Sequence, residues 1–155
     1  MMIDSLKRKF DEVDQRIVAW MSNYGLKILR ISLGIIFFWF GSLKFFPHLS
    51  PAQQLATTTI SRLTCDVVTP QTSLLILACW ETLIGIGLIF GFWMRFIIFL
   101  LLLQMLGTIT PLLLFPAQTF THVPYAPTLE GQYIIKNIVL ISAALTLGAT
   151  VRKSS

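Results

Sequence analysis

Long apolar segments alternate with shorter polar ones along the chain. Four segments are apolar enough to form transmembrane helices, and each has the roughly 20 residues needed to cross about 30 Å of hydrocarbon. Pro111 lies within the third segment and is predicted to kink it. The pattern predicts an all-α polytopic membrane protein, a four-transmembrane-helix bundle within residues 25–155, with spans at residues 28–46, 74–92, 96–115 and 133–151.

The first 24 residues have a different pattern, a single narrow apolar stripe on an otherwise charged helix. The charges of its polar surface sum to zero, which argues against strong attraction to anionic lipid. We expect residues 1–24 to form a cytoplasmic amphipathic helix lying in the membrane interface. The alternative is a helix packed against a partner chain. The stripe consists of Ile3, Leu6, Phe10, Val13, Ile17, Trp20 and Tyr24.

Composition agrees with a membrane location. Of the 155 residues, 55% are hydrophobic and only 12% are charged, about half the usual fraction for a soluble domain. The net charge of +5 does not indicate a nucleic-acid partner, because basic residues in a membrane protein first report orientation. Here they place both termini in the cytoplasm by the positive-inside rule. The basic residues of that side are Lys7, Arg8, Lys9, Arg16, Lys27, Arg95, Arg152 and Lys153.

Cysteine and histidine provide no recognisable chemistry. Cys65 and Cys79 form neither a redox pair nor a zinc-binding pattern, and their role is left open. His48 and His122 are isolated residues of predicted outer loops. We therefore expect no metal site and no self-sufficient thiol oxidoreductase, and the sequence leaves open whether the protein is an enzyme.

Polar side chains inside the predicted spans are the main functional candidates. A charge in hydrocarbon costs of order 2.5 to 3.5 kcal/mol on insertion scales, so those that remain usually have a function. Lys44, Glu81 and Lys136 are predicted to lie in the outer half of the membrane, with Glu81 about 10 Å deep. Gln104 and Asn137 add uncharged polar groups at similar levels.

Spacing predicts which way these side chains face. In the first span, polar and small residues recur at alternating intervals of four and three, so they share one face of the helix. Glu81 and Gly85 follow the same pattern in the second span. Small residues let helices approach closely, so this face is predicted to be the packing face, with Glu81 directed towards Lys44 or Lys136. The predicted packing residues are Arg30, Gly34, Gly41 and Gly85.

Two interpretations of the charged cluster remain open. One is a buried ion pair that only fixes the helix register. In the other, two lysines and one glutamate leave a positive charge over, which would suit an anionic or carbonyl-bearing ligand such as a lipid headgroup, a small oxyanion or a quinone. Glu130 is the main competitor for the spare lysine.

Three sequence strings resemble the DoxX superfamily, most closely its DoxX-like and YkgB-like bacterial inner-membrane branch. The resemblance covers about residues 25–150 and implies a four-helix membrane bundle with cytoplasmic ends. Members of this superfamily include the small subunit of a thiosulfate:quinone oxidoreductase, a mycobacterial subunit that partners redox enzymes, a reactive-chlorine resistance protein and a receptor-assembly chaperone. The strings are RISLGIIFFWFGSLK (30–44), WETLIGIGLIFG (80–91) and LEGQYIIKNIVLISAAL (129–145).

The resemblance and the polar cluster together favour an accessory subunit of a quinone-linked or oxidative-stress redox system. Its partners would be the lipid bilayer and a redox enzyme or another membrane subunit, and a homo-oligomer is left open. No cofactor motif is found, and a quinone or a bound lipid is the ligand to consider. The alternatives are an assembly scaffold and, less favoured, a small transporter. The predicted ligand-binding residues are Lys44, Glu81, Gln104, Lys136 and Asn137.

Overall fold

The computed structural model describes residues 2–46 and 53–151, apart from the side chains of residues 2–6 and Arg8. His48, Arg152 and Lys153 lie outside the described residues, so the expectations based on them are not addressed. The described chain forms six helices and one two-stranded sheet. The elements are α1 (Met2–Leu43), α2 (Gln53–Leu63), α3 (Pro70–Phe90), α4 (Met94–Leu114), α5 (Pro116–Thr119), β1 (Phe120–His122), β2 (Ala126–Pro127) and α6 (Leu129–Thr150).

Four of these helices are long and apolar enough to cross a membrane, which confirms the predicted all-α polytopic membrane fold. They correspond to the four predicted spans. A further short helix, α2, lies between the first and second of these helices. The membrane-crossing segments are Lys9–Leu43, Pro70–Phe90, Met94–Leu114 and Leu129–Thr150.

Helices α3 and α6 each begin four residues before the predicted span because each has a polar cap. The Thr69 side chain accepts a hydrogen bond from the backbone N–H of Thr72 at 3.3 Å, and Pro70 occupies the first turn. Thr128 accepts one from the backbone N–H of Gly131 at 3.2 Å. A hydropathy window misses such a first turn, since its residues are polar.

Helix α1 is a single helix of 42 residues, so the amphipathic segment continues into the first span without a break. At 1.5 Å per residue the helix is about 63 Å long, roughly twice the hydrocarbon thickness. Residues 9–28 are exposed along their whole length. The interfacial orientation of residues 1–24 stays a prediction, and it requires the helix to bend near the membrane surface.

Close backbone contact between α1 and α3 forms one side of the bundle. A Cβ atom on Gly41 would lie 2.6 Å from the Thr82 nitrogen, and one on Gly34 would lie 2.9 Å from the Ile89 nitrogen. A Cβ on Gly85 would collide with the backbone of Phe38. Only glycine allows backbones to approach this closely, so these three glycines determine the spacing of the two helices.

The core lies between α1, α3, α4 and α6, with α3 packed on α1 and α4, and α6 packed chiefly on α4. Gly87 faces the Ile97 side chain and so packs within the chain. The Trp80 indole N–H donates to the Leu100 carbonyl at 3.2 Å and ties α3 to α4. The buried core residues are Leu33, Phe37, Ile84, Leu88, Ile97, Ile98, Leu101, Met105, Ala143, Ala144 and Leu147.

The connection between α4 and α6 contains structure that the sequence analysis did not predict. Strands β1 and β2 pair in an antiparallel hairpin, with Phe120 opposite Pro127 and His122 opposite Ala126. The backbone N–H of Thr128 donates to the Thr119 carbonyl at 2.9 Å. Because Thr119 is fully buried, the hairpin is anchored beside the start of α6.

Candidate functional site

A buried ion pair joins α1 to α3. The Lys44 ammonium forms a hydrogen-bonded ion pair with Oε2 of Glu81. Glu81 is 8% exposed, and the Lys44 side chain is 9% exposed. Lys44 directly follows the end of α1, where its backbone N–H donates to the Gly41 carbonyl at 3.1 Å. Of the two lysines expected near Glu81, Lys44 is therefore its partner.

Gln104 of α4 completes the coordination of the carboxylate. Its Nε2 donates to Oε1 of Glu81 at 2.7 Å, and Gln104 is itself buried. Both carboxylate oxygens are thus engaged, one by a cation and one by an amide. Glu81 lies about 16 Å along α3 from Pro70, because the helix begins earlier than the apolar window. Its predicted depth of about 10 Å in the membrane stays a prediction.

Lys136 and Asn137 lie apart from this ion pair, although both follow the start of α6. Lys136 is exposed, with its ammonium 5.4 Å from the centre of the Tyr133 ring. In the described part of the chain it forms no ion pair, either with Glu81 or with Glu130. The Asn137 amide is half-buried, and its Nδ2 lies 3.5 Å from the Thr108 hydroxyl. The spare positive charge therefore lies outside the buried cluster.

A cavity of about 130 Å³ lies beside Glu81 and receives side chains from four membrane helices. Its polar lining consists of Glu81, Thr108 and Asn137. Ile36 and Phe40 line it as well, and both are exposed on the outer surface of α1. The rim of the cavity therefore reaches the surface that faces lipid. The complete lining is Ile36, Phe37, Phe40, Glu81, Met105, Thr108, Asn137 and Leu140.

Part of this lining was not among the predicted site residues. Thr108 lies one helical turn beyond Gln104 on α4, so its spacing of four could have identified it. Met105 and Leu140 carry no such signal, because apolar cavity residues resemble ordinary core residues in a sequence.

The predicted packing residue Arg30 lies at the opposite end of the α1–α3 contact. Its guanidinium is so close to Gly91 that a Cβ there would overlap it. Gly91 caps α3 in the left-handed conformation, with φ of 76°, and its N–H donates to the Gly87 carbonyl at 2.8 Å. A cation near a helix C-terminus is favoured by the helix dipole. Arg30 therefore stabilises the end of α3 and takes no part in the Glu81 cluster.

A second cavity, of about 400 Å³, lies between α2 and the end of α4. It is lined by hydroxyl side chains together with Arg62 and Asp66, and Asp66 accepts a hydrogen bond from the Ser61 hydroxyl. Arg62 and Asp66 are both exposed. This cavity is therefore a surface groove, and its charged side chains are not buried as Glu81 is in the first cavity.

Within residues 2–46 and 53–151, no group of three His, Cys, Asp or Glu side chains is arranged to hold a metal ion. Cys65 and Cys79 are both free and exposed. Neither cysteine contacts the Glu81 cluster.

Fold and site together define a multi-pass integral membrane protein with a charged cluster inside its helical bundle. The family model described as DoxX matches residues 25–122, and the chain belongs to the DoxX family. The match extends from the membrane half of α1 to the end of β1, so α6 and the N-terminal half of α1 lie outside it. Comparisons with curated proteins and with solved structures give no match.

Proposed function

We propose that this DoxX protein is an accessory membrane subunit that binds the headgroup of a quinone in the cavity beside Glu81. The observation that carries the proposal is the cavity itself, which combines apolar walls with an amide, a hydroxyl and the paired carboxylate of Glu81. Such a lining suits an apolar ring that carries carbonyl groups. The redox system that would use the quinone is the part of the proposal that comes from the family resemblance.

Charge favours a neutral ligand over an anion. The Lys44 ammonium is already paired with Glu81, and the second oxygen of that carboxylate is bound by Gln104. The exposed Lys136 is not part of the lining. An anion in the cavity would therefore meet a carboxylate without a free cation, whereas a carbonyl requires only a hydrogen-bond donor.

Size limits the ligand to part of a single ring. The cavity of about 130 Å³ is somewhat smaller than the roughly 150 Å³ cavity that holds benzene, so a carbonyl edge of the ring would enter it and the rest of the headgroup would lie in the open rim beside Ile36 and Phe40. The Asn137 amide is the available donor, because its hydrogen bond to Thr108 is 3.5 Å long. The Thr108 hydroxyl donates to the Met105 carbonyl at 2.9 Å. The isoprenoid tail would leave the cavity past Ile36 and Phe40 into the lipid.

The test is binding of a short-chain ubiquinone to the full-length protein in lipid nanodiscs, followed by quenching of tryptophan fluorescence. Asn137→Leu should weaken binding about 5- to 10-fold, the value of one hydrogen bond. Ser142→Leu is the matched control, since Ser142 is an exposed polar residue farther along α6. Equal affinity of the two variants, or no saturable binding at all, would reject the proposal. Native mass spectrometry would show whether a phospholipid occupies the cavity instead.

A scaffold function is the second candidate, and one observation favours it. Residues 9–28 of α1 are exposed throughout and are therefore available to another protein. Deletion of residues 1–24 should then abolish recovery of a partner while the bundle remains folded. If the truncated protein still recovers the partner, residues 1–24 do not serve as the docking segment.

We propose a bacterial inner-membrane location with both termini in the cytoplasm. Lys27, Arg30 and Arg95 lie at the same end of the bundle in the described chain, and basic residues favour the cytoplasmic side. Alkaline phosphatase fused after Ser155 should be inactive, whereas fusion after Val123 should be active. The reverse pattern of activity would show that both termini lie on the outer side.

A further inference from the structure

The exposed half of α1 carries an apolar seam with the spacing of a coiled coil. Its residues are separated by three, four, three and four positions, which is the a and d pattern of a heptad. Each seam residue is between 48% and 72% exposed. A helix that packs in a globular bundle usually has a wider apolar face. The α1 seam consists of Phe10, Val13, Ile17, Trp20 and Tyr24.

Charge complementarity identifies a second copy of the chain as the occupant. With Phe10 at position a, Lys9 occupies position g and Asp14 position e of the next heptad. In a parallel pair of helices these two positions face each other across the interface. Lys9 of each copy would therefore meet Asp14 of the other, twice by symmetry. In the described part of the chain, neither residue has an ion-pair partner.

Membrane topology imposes the parallel arrangement. Copies inserted in one membrane have the same orientation, so their α1 helices run in the same direction when they meet side by side. An antiparallel pair would bring g together with g and e with e, so Lys9 would no longer meet Asp14 of the other copy. The charge pattern and the topology thus select the same arrangement.

The seam points away from its own bundle and continues into the membrane. At 100° per residue, its centre lies roughly 110° around α1 from Gly34, Phe37 and Gly41, which face α3. After Tyr24 the same side of the helix continues with Ile28, Ile31 and Ile35, which are 47%, 40% and 50% exposed. A second copy would therefore lie against the outside of α1 over the length of the helix.

The seam does not suit a lipid surface equally well. Interfacial helices usually have a broad apolar face and a polar face rich in Lys and Arg. Residues 9–27 carry three basic side chains, Lys9, Arg16 and Lys27, and as many acidic ones. The segment is therefore electrically balanced and gains little from anionic lipid.

We propose that the α1 seam joins two copies of this protein through a parallel two-stranded coiled coil on the N-terminal side of the membrane. The pairing is independent of the proposed quinone site, because no seam residue lines the cavity. The protein would then be a dimer whose two bundles meet along α1.

Disulfide cross-linking in native membranes tests the contact. In a full-length background with C65S and C79S, Val13→Cys places a thiol at a d position of the seam. Gln15→Cys is the matched control, because Gln15 is equally exposed but occupies the outward f position. On oxidation, V13C should give a dimer with a yield at least about tenfold above that of Q15C, since only opposed seam positions approach within disulfide distance. Equal yields, absence of the V13C dimer, or cross-links only to a protein of different mass would overturn the proposal.

A charge exchange tests the parallel register. K9D and D14K each place like charges across the interface, and each should lower the dimer association constant about threefold. The double variant K9D/D14K restores opposite charges and should return the constant to that of the natural protein. Single-molecule photobleaching in dilute liposomes counts the subunits. If the association constant of the double variant is lowered by the product of the two single effects, this register is excluded.

Discussion

The buried ion pair should make the Lys44 and Glu81 substitutions strongly non-additive. The perturbations are Lys44→Met, Glu81→Gln and the double variant, all in the full-length protein. Met and Gln resemble the original side chains in size, so the comparison mainly concerns charge. Each single variant leaves one charge without its partner, whereas the double variant leaves neither.

The size of each penalty follows from burial. Removing one member of a buried ion pair costs about 3 to 5 kcal/mol, whereas replacing both is often close to neutral. Glu81 lies in the middle of α3, so K44M should cost about 3 to 5 kcal/mol. Lys44 lies at the end of α1 and can extend towards water, so the free energy of unfolding should fall less for E81Q. The double variant should lie within about 1.5 kcal/mol of the natural protein.

The assay is unfolding by sodium dodecyl sulfate in mixed micelles, followed by tryptophan fluorescence. Lys136→Met is the matched control, because Lys136 is an exposed lysine outside the cluster, and it should change the free energy of unfolding by less than about 0.5 kcal/mol. If the free energy of unfolding of the double variant falls by the sum of the two single losses, the two side chains are not coupled. That result would refute the ion pair.

The helix contacts lead to two further predictions. Gly85→Ala should lower the free energy of unfolding by about 1 to 3 kcal/mol, because its methyl group would overlap the Phe38 backbone. Gly107→Ala is its control, since nothing lies within 4 Å of that position, and an equal loss there would contradict the packing argument. Thr128→Ala should cost about 1 kcal/mol, because it removes the α6 cap and the hydroxyl's hydrogen bond to the Gln118 carbonyl. Thr128→Ser keeps the hydroxyl and should recover most of that loss in the same assay; if it does not, the cap is not the cause.

The membrane fold could be predicted because each span is encoded locally. A stretch of about 20 apolar residues determines a transmembrane helix without reference to the rest of the chain. The hairpin after α5 is different. Its strands are only three and two residues long, and the Thr119–Thr128 contact that anchors it depends on where α6 begins. No periodic pattern can form over so few residues.

The site could be predicted only in part, for a similar reason. Periodicity identified the face of Glu81, but it could not decide between Lys44 and Lys136, because helix periodicity does not determine which helices are neighbours. The structure places Lys44 against Glu81, since the glycine contacts bring α1 directly onto α3. Because α1 packs on α3, Lys44 neutralises Glu81. The preference of the cavity for a neutral ligand depends on this pairing.

The unbroken course of α1 links the two ends of the protein mechanically. Phe10 lies within α1 and Lys44 directly follows its last residue, so a twist applied near the N-terminus is transmitted along the helix axis towards the ion pair. Gly34 and Gly41 are wedged against α3 and resist such a twist. These two glycines in the membrane-spanning half of α1 therefore fix the rotation of the helix about its axis. That rotation sets the direction in which the aromatic side chains of its exposed half point.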